Sequence, residues 1–290
     1  MNDPGLKMPQ PTGDVSSTDL VAATDHALSL PSLFGLRGRV AFVPGGYGDI
    51  GSAITRGLAL AGARVAVAGR SEPKTQAFAA LLRDEGHDAL GLAMDAHRVA
   101  DITRAVDAVA AQFGHLDLLV NCIGMQREQR LADVSEEAFD EIVQVNLKAA
   151  MFLAQNAARH QVAAVQAGRA PGRQVHLLSV RAQLGMRDRG YSAYCATKGA
   201  LVMLIKQHAV ELSAHGICVN GVAPTVVRGT MGSHWLANPA TRDALLQRIP
   251  LGRVAEPADV VGAALLFCSP AAAFVTGQVL YVDGGVTATQ

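Results

Sequence analysis

The stretch VAFVPGGYGDIG, residues 40–51, decides the fold of this chain. Four apolar residues are followed by a turn rich in glycine, and apolar residues with helical spacing then run from Ile50 to Ala61. A strand, a glycine turn and a helix in this order open a βαβ unit, in which the backbone of the turn can closely approach a phosphate group. A tight turn without a ligand would also use glycine, but the position between the first strand and the first helix favours a phosphate-binding turn.

Short apolar segments alternate with helical segments over the rest of the chain. After the strand at 40–43, the pattern predicts six more strands, at 65–68, 90–94, 116–120, 175–178, 218–222 and 279–282. It predicts helices at 50–61, 99–113, 135–164, 192–214 and 257–268, and one more that follows the second strand and ends at residue 85. Such alternation is typical of a parallel sheet covered by helices on both faces. We therefore expect an α/β fold: a single, doubly wound Rossmann-type domain with a seven-stranded parallel sheet.

The folded domain is expected to occupy residues 34–290. Residues 1–33 are polar and punctuated by Pro, Gly and Ser, so they predict a flexible N-terminal tail. A short docking helix around residues 17–30 is the alternative, because an apolar patch lies there.

Composition limits the classes of function. Half of the 290 residues are apolar and only 4% are aromatic, so a large core must be built mainly from Ala, Val, Leu and Ile. With 25 basic and 25 acidic residues, the chain has no net charge to attract nucleic acid or an anionic membrane. No apolar stretch is long enough to span a bilayer, and no secretory signal is visible. The four widely spaced cysteines predict no metal site and a reducing compartment, so we expect a cytoplasmic protein.

A tyrosine and a lysine stand four residues apart in the segment YSAYCATKGA, residues 191–200. On a helix, this spacing puts Tyr194 and Lys198 on one face. A free phenol has a pKa near ~10 and is a poor base at neutral pH, whereas a neighbouring ammonium stabilises the phenolate and lowers that pKa. Y-x-x-x-K is common by chance and a solvated helix face is the alternative, but the place after the fifth predicted strand favours a proton-transfer pair. Tyr191 competes as the phenol but has no lysine four residues further on.

Together these segments resemble the short-chain dehydrogenase/reductase family. The glycine turn is similar to the family's T-G-x-x-x-G-x-G, with Pro44 in the Thr place and Asp49 in the middle Gly place. Residues 121–124 resemble N-N-A-G, residues 194–198 match Y-x-x-x-K, and residues 219–225 resemble V-N-x-x-x-P-G. The resemblance extends over residues 34–286, and the sugar and polyol branch, which is xylulose-reductase-like, looks most similar.

Membership of this family would make the chain an NAD(P)-dependent oxidoreductase that transfers a hydride between nicotinamide and a carbonyl or alcohol carbon. By resemblance, Tyr194 would exchange the proton of the substrate oxygen, while Lys198 would lower the pKa of Tyr194 and bind the nicotinamide ribose. Ser179 would orient the substrate oxygen, although a structural serine at a strand end is the alternative. Asn146 would hold a water that relays the proton, the alternative being a satisfied asparagine between helices.

The resemblance also implies which residues bind the cofactor. They come from the glycine turn, the segments after the next strands and the catalytic pair: Gly45, Tyr47, Asp49, Ile50, Gly51, Arg70, Asp95, Ala96, Asn121, Gly124, Tyr194, Lys198, Pro224 and Val227. The second strand ends at Gly69 and Arg70, where an acidic residue would select NAD, and a guanidinium at this place favours the 2′-phosphate of NADP. Arg70 as a solvated surface charge, with NAD as the cofactor, is the alternative.

The remaining predictions concern substrate and assembly. The substrate is expected to be a sugar, a polyol or a small hydroxy or keto compound, in a pocket formed by Arg181, Met186, Met231 and Trp235. For these four residues, surface charge and ordinary lid packing are the alternatives. A ketoacyl reductase acting on an acyl carrier and a non-catalytic cofactor-sensing protein on the same fold are the alternative functions. Family members usually form homotetramers through long helices, here 135–164 and 192–214, and the resemblance implies the same assembly.

Overall fold

One parallel sheet organises the molecule. The computed structural model describes residues 28–187 and 189–289, without the side chain of His234. The strands are ordered β3-β2-β1-β4-β5-β6-β7, and each adjacent pair is parallel. They are β1 Val40–Pro44, β2 Arg64–Gly69, β3 Ala89–Ala93, β4 Leu118–Asn121, β5 Arg173–Leu177, β6 Cys218–Pro224 and β7 Val279–Val282. The predicted doubly wound α/β fold with seven parallel strands is confirmed.

Helices connect the strands and cover the sheet. In the described part of the chain they are α1 Leu30–Phe34, α2 Asp49–Leu60, α3 Glu72–Asp84, α4 Val99–Phe113, α5 Glu136–Val143, α6 Ala149–Gln166, α7 Ser192–Leu212, α8 Ser233–Ala237, α9 Pro239–Leu246 and α10 Pro257–Cys268. None of the helices within the described ranges is long and apolar enough to cross a membrane.

The two faces of the sheet bury different side chains of β1. Ala41 and Val43 pack with residues of α2 and α10, whereas Val40 and Phe42 pack with residues of α4 and α6. All four side chains are fully buried. Because successive side chains of a strand point to opposite faces, a strand covered on both sides is apolar throughout. This is why β1 is a continuous apolar run and not an alternating one.

The strand order reverses beside β1. The chain runs from β1 outward to β2 and β3, and then returns to place β4 on the other side of β1. Val40 is in register with Arg64 of β2, and Ala41 is in register with Leu118 of β4. In open α/β sheets, ligands bind in the crevice at the carboxyl ends of the strands where the order reverses. The topology therefore points to the loops after β1 and β4 as one wall of a site.

The helix predicted at 135–164 is interrupted. The structure has α5, then a π turn at Gln144–Lys148, and then α6, which ends at Gln166. Asn146 lies inside the π turn, and its side chain hydrogen-bonds to the backbone of Met125 in a neighbouring loop. Hydrophobic spacing cannot show such a turn, because it depends on a contact between distant parts of the chain.

The N-terminal boundary also differs from the sequence prediction. Helix α1 begins at Leu30, inside the range predicted as a tail, and reciprocal hydrogen bonds between Ser29 and Ser32 cap its start. Leu36, just after this helix, is buried in the core. The predictions for residues 1–27, including most of the alternative docking helix at 17–30, lie outside the described residues.

Candidate active site

A cleft of about 620 Å³ opens at the carboxyl edge of the sheet, a size typical of small-molecule sites. Most of the predicted site residues line it: Gly45, Tyr47, Asp49, Ile50, Gly51, Arg70, Ala96, Gly124, Ser179, Arg181, Met186, Tyr194, Lys198, Pro224, Val227, Met231 and Trp235. Asp95, Asn121 and Asn146 stand outside the lining, but each hydrogen-bonds to a residue that forms it. The fold thus gathers residues from distant parts of the sequence into one cleft.

The glycine turn packs directly against the end of β4. Gly45 has a φ of +78°, and a Cβ there would lie 2.9 Å from the carbonyl carbon and oxygen of Cys122. At Gly51, the first turn of α2, a Cβ would collide with the carbonyl oxygen of Gly45. Helix α2 has no side-chain cap at Gly48, so its first amide groups are free to bind an anion in the cleft. The turn therefore fits the pyrophosphate of a dinucleotide.

The end of β2 is covered by an aromatic ring. A Cβ at Gly69 would meet the ring of Tyr47, so the ring occupies the place where an acidic side chain would select NAD. Arg70 follows, is exposed and lines the cleft. The only charge that the end of β2 brings to the cleft is thus positive.

Asp95 is held by its own loop. Its Oδ1 accepts a hydrogen bond from the backbone N–H of His97 at 3.1 Å and lies 2.8 Å from His97 Nδ1. His97 also lies 4.0 Å from Glu141, and both of these residues line the cleft. The carboxylate of Asp95 therefore holds the imidazole of His97 in the loop after β3, beside Glu141 of α5.

Two asparagines shape the loop after β4. Asn121 is buried, and its Oδ1 accepts a hydrogen bond from the N–H of Ile123 at 3.1 Å. Asn146 accepts from the N–H of Met125 at 2.8 Å and donates to the carbonyl oxygen of the same residue at 2.9 Å. It also donates to Thr197 Oγ1 at 3.2 Å. Asn146 thus ties the loop after β4 to α7, the helix that carries the tyrosine and the lysine.

Tyr194 and Lys198 lie together at the floor of the cleft, one helical turn apart. Lys198 Nζ is 5.6 Å from the centroid of the Tyr194 ring and donates to the carbonyl oxygen of Leu177 at 2.8 Å. Both side chains are buried. A Cβ at Gly124 would lie 3.5 Å from Nζ, so the loop after β4 closes directly over the ammonium.

Burial sets the acidity of this pair. It lowers the pKa of Lys198 to about 8. It raises the pKa of Tyr194 to about 12, against a side-chain hydrogen bond with Ser179 that lowers it. From the sequence we expected Lys198 to bring the phenol's pKa down. In the structure the loss of hydration dominates instead, because a buried phenolate is poorly solvated. Tyr194 is therefore protonated at neutral pH and has a proton to donate.

An aromatic cluster walls the other end of the cleft. Trp235 of α8 meets Tyr191 edge-on at 6.0 Å, and Tyr191 meets Tyr194 at 6.2 Å. The hydroxyl of Tyr191 donates to Glu128 at 3.2 Å. Burial raises the pKa of Tyr191, and Glu128 adds to this effect. Tyr191 is thus a neutral, oriented phenol next to the catalytic candidates.

Sequence reasoning missed some of the cleft residues. Tyr191 was considered only as a rival of Tyr194, although a spacing of three residues already placed both phenols on one side of the chain. His97 and Glu141 belong to no motif, and only the fold brings them to the cleft.

Comparison with known proteins identifies the family. A family model described as enoyl-(acyl carrier protein) reductase matches residues 47–287. The gluconate 5-dehydrogenase of Gluconobacter oxydans (strain 621H) is 35% identical over 263 residues, which cover 90% of this chain and 99% of that protein. The L-xylulose reductase of Bos taurus is 37% identical over 254 residues, 88% of this chain and 98% of that protein. The chain belongs to the short-chain dehydrogenase/reductase family.

Solved structures agree with this assignment. The crystal structure of a gluconate 5-dehydrogenase from Burkholderia cenocepacia J2315, in complex with NADP and tartrate, has a TM-score of 0.86 and 34% sequence identity, covering 90% of this chain and 100% of that chain. This short-chain dehydrogenase/reductase is therefore an NAD(P)-dependent oxidoreductase that acts on CH–OH or C=O groups of a small molecule. The predicted family, enzyme class and nicotinamide cofactor are confirmed.

Proposed function

We propose that this enzyme interconverts a secondary alcohol and a ketone in a sugar, a polyol or a related small hydroxy or keto compound, with NADP as its preferred cofactor. The observation that carries the proposal is the convergence of Tyr194, Lys198 and Ser179 in one cleft beside an uncapped helix N-terminus. Relatives named gluconate 5-dehydrogenase, D-threitol dehydrogenase and L-xylulose reductase support this substrate class.

The preference for NADP rests on charge. Arg70 is exposed to the cleft at the end of β2, while Gly69 supplies no acidic side chain to accept ribose hydroxyls. The nearest carboxylate at the end of β3, Asp95, is engaged by His97. A guanidinium can bind the 2′-phosphate through two hydrogen bonds. Solved relatives with bound NADP support the same choice.

The proton chemistry follows from the positions of the side chains. When bound, the nicotinamide cofactor supplies or takes up the hydride. In the reductive direction, Ser179 donates a hydrogen bond to the carbonyl oxygen of the substrate and orients it, and Tyr194 transfers its phenolic proton to that oxygen. The charge of Lys198 then stabilises the phenolate that remains. Asn146, held by Met125, supports the path by which solvent returns a proton to Tyr194.

The substrate end of the cleft contains a cation without a partner carboxylate within the described ranges. Arg181 is half-buried, and its Nη1 donates to the carbonyl oxygens of Leu184 at 3.2 Å and Gly185 at 2.5 Å. Burial lowers its pKa, which shows that the cation loses hydration there. Arg127 and Arg189, in contrast, pair with Glu141 and Glu128. Arg181 therefore favours substrates with several hydroxyls or a carboxylate.

We further propose a homotetramer in the cytoplasm. The long helices that the family uses for assembly correspond here to α5, α6 and α7. Apolar side chains on two of them face outward: Phe139 of α5 is 43% exposed, and Met203 and Val210 of α7 are 62% and 70% exposed. Their burial against a second copy would remove apolar surface from water. Light scattering after size-exclusion chromatography measures the assembly directly.

A substrate panel tests the proposed activity. NADPH oxidation is followed with keto-sugars, keto-sugar acids, simple ketones and a ketoacyl thioester, and the preferred substrates are repeated with NADH. Turnover of keto-sugars or sugar-derived ketones with a preference for NADPH supports the proposal. Turnover of the ketoacyl thioester alone would replace it with an acyl-carrier reductase. Cofactor binding without turnover of any compound would favour a cofactor-sensing protein.

A further inference from the structure

A carboxylate links the two halves of the cleft. Asp49 is the first residue of α2, in the place where the family's glycine turn usually has its middle glycine. Its Oδ2 accepts a hydrogen bond from the backbone N–H of Thr230 at 2.6 Å and a second from the Thr230 hydroxyl at 2.7 Å. The two residues are 181 positions apart in the chain, and both line the cleft.

Thr230 stands at the start of the segment that walls the substrate end. It begins the short turn Thr230–Gly232, which leads directly into α8 and Trp235. Trp235 packs against Tyr191, the neighbour of Tyr194. Fixing Thr230 therefore fixes the start of α8, and with it the Trp235 ring that walls the cleft beside Tyr191.

Before Thr230, this segment is anchored through its backbone. Arg228 donates its N–H to the carbonyl oxygen of Ala255 at 2.7 Å, and Val227 pairs with Ala255 in a parallel bridge. These contacts hold the segment to the loop that precedes α10. The bonds to Asp49 instead hold it to α2, the helix whose uncapped N-terminus would bind the cofactor phosphates. A glycine in the place of Asp49 could not accept either bond.

We propose that Asp49 is a positioning residue: with Thr230 it forms a clasp that holds the segment 230–237 over the substrate end of the cleft. This inference rests on the proposed function, since it assigns that segment to the substrate. The clasp links cofactor-binding helix α2 to the aromatic wall formed by Trp235 and Tyr191. It acts on the bound substrate and not on the proton transfer itself.

A simpler role for Asp49 makes a different prediction. An acidic residue in the first turn of a helix is stabilised by the helix dipole, whatever lies opposite. If that were its whole role, removing the Thr230 hydroxyl would leave both the cleft and α2 unchanged. The clasp requires that Asp49 and Thr230 depend on each other.

The test uses Asp49→Ala, Thr230→Val and the double variant, with Thr230→Ser as the conservative variant that keeps the hydroxyl. Trp235 is the only tryptophan of the chain, so its fluorescence reports on α8. The matched controls are Glu136→Ala, an exposed acid at the first position of α5, and Thr241→Val, a threonine of α9 bonded through its backbone N–H to Asn238. Thermal unfolding and far-ultraviolet circular dichroism check that every variant is folded.

Each single clasp variant should shift the emission of Trp235 to longer wavelength and make it more accessible to acrylamide. At saturating NADPH, the KM for the carbonyl substrate should rise roughly 5- to 20-fold, which corresponds to a loss of about 1–2 kcal/mol of interaction. The value of kcat should change less. Thr230→Val removes only the hydroxyl bond and should have the smaller effect, whereas the double variant should be no worse than Asp49→Ala, which already removes both bonds. Thr230→Ser and the two controls should behave like the wild type.

Two results would overturn the clasp: unchanged emission in both single variants, or effects on KM that multiply in the double variant. The emission and quenching measurements need no substrate. If the wild type reduced no compound of the panel, the proposed substrate class would fail while the fluorescence still decided the clasp.

Discussion

Lys198 links the acidity of the site to its activity. Burial lowers the pKa of Lys198 to about 8, so its charge is present below that pH and is lost as the pH rises through it. Tyr194, with its pKa raised to about 12, stays protonated over the same range. We predict that kcat/KM for carbonyl reduction at saturating NADPH falls above about pH 8, because the cation that stabilises the phenolate is lost. A pH–rate profile measures this fall, the alkaline limb of the profile.

The variant Lys198→Arg tests whether Lys198 causes the alkaline fall in kcat/KM. A guanidinium remains charged well above pH 8, so the fall in activity should move to higher pH even if the maximum rate is lower. A limb at the same pH in Lys198→Arg would assign it to another group.

The proposed preference for NADP depends on the side chain of Arg70, which is exposed in the cleft. We predict that Arg70→Ala raises the KM for NADPH roughly 10- to 100-fold, as expected for losing a charge-assisted bidentate contact, and leaves the KM for NADH nearly unchanged. Steady-state kinetics with each cofactor measure both values. Arg104→Ala, which removes an exposed guanidinium of α4 paired with Asp101, should change neither. Equal losses with both cofactors would show that Arg70 does not contact a 2′-phosphate.

Among the elements, the junction of α5 and α6 depends on one asparagine. Asn146→Ala would leave the N–H and carbonyl oxygen of Met125 without their partner in a partly buried loop. We predict a loss of about 1–3 kcal/mol in the free energy of unfolding, measured by urea denaturation, together with a lower kcat. Asn156→Ala removes a buried asparagine of α6 that donates to Phe152, far from the cleft. That control should destabilise the protein without lowering kcat, and equal kcat losses in both would assign Asn146 a purely structural role.

Elements with an uninterrupted pattern were predictable to the residue. The bounds of α4, α10 and β7 agree with the sequence, because apolar spacing is regular in them and Gly or Ser follows each helix. The π turn at Gln144–Lys148 was not predictable as an element, since it arises from contacts between Asn146 and a loop twenty-one residues away. Local periodicity carries no record of such a partner.

Across the whole molecule, the edge opposite the cleft is held by a buried carboxylate. Asp117 is the residue before β4, and its side chain is fully buried. Its Oδ2 accepts a hydrogen bond from the backbone N–H of Val40 at 2.8 Å and lies 3.1 Å from His115 Nε2. Its Oδ1 lies 3.6 Å from Arg39 and 3.5 Å from Arg169. One residue thus joins the starts of β1 and β4 to the end of α6.

We predict that Asp117→Ala lowers the free energy of unfolding by about 3–5 kcal/mol, because it leaves Arg39 with its charge uncompensated and Val40 without an acceptor. The kcat/KM of the folded enzyme should change little, since the cleft lies at the opposite edge. Urea denaturation and steady-state kinetics on one preparation measure both. Asp84→Ala, at the exposed end of α3, should cost no more than about 0.5 kcal/mol. A loss of activity as large as the loss of stability would contradict the separation of the two edges.

The sequence predicted which residues form the site better than it predicted their pKa values and their contacts. Motifs located Tyr194, Lys198 and Ser179, since their spacing relative to the strands is local information. The high pKa of Tyr194 and the clasp between Asp49 and Thr230 could not be read from the sequence. Both depend on how segments far apart in the chain exclude water and meet in the folded protein.

Tyr194→Phe tests the central claim most directly, because it removes one oxygen atom from a buried ring and little else. The measurement combines NADPH binding, followed by fluorescence titration, with turnover of the best substrate of the panel. The variant should bind NADPH as the wild type does and show no measurable turnover. Turnover at the wild-type rate with Phe at position 194 would contradict the assignment of the phenol as proton donor.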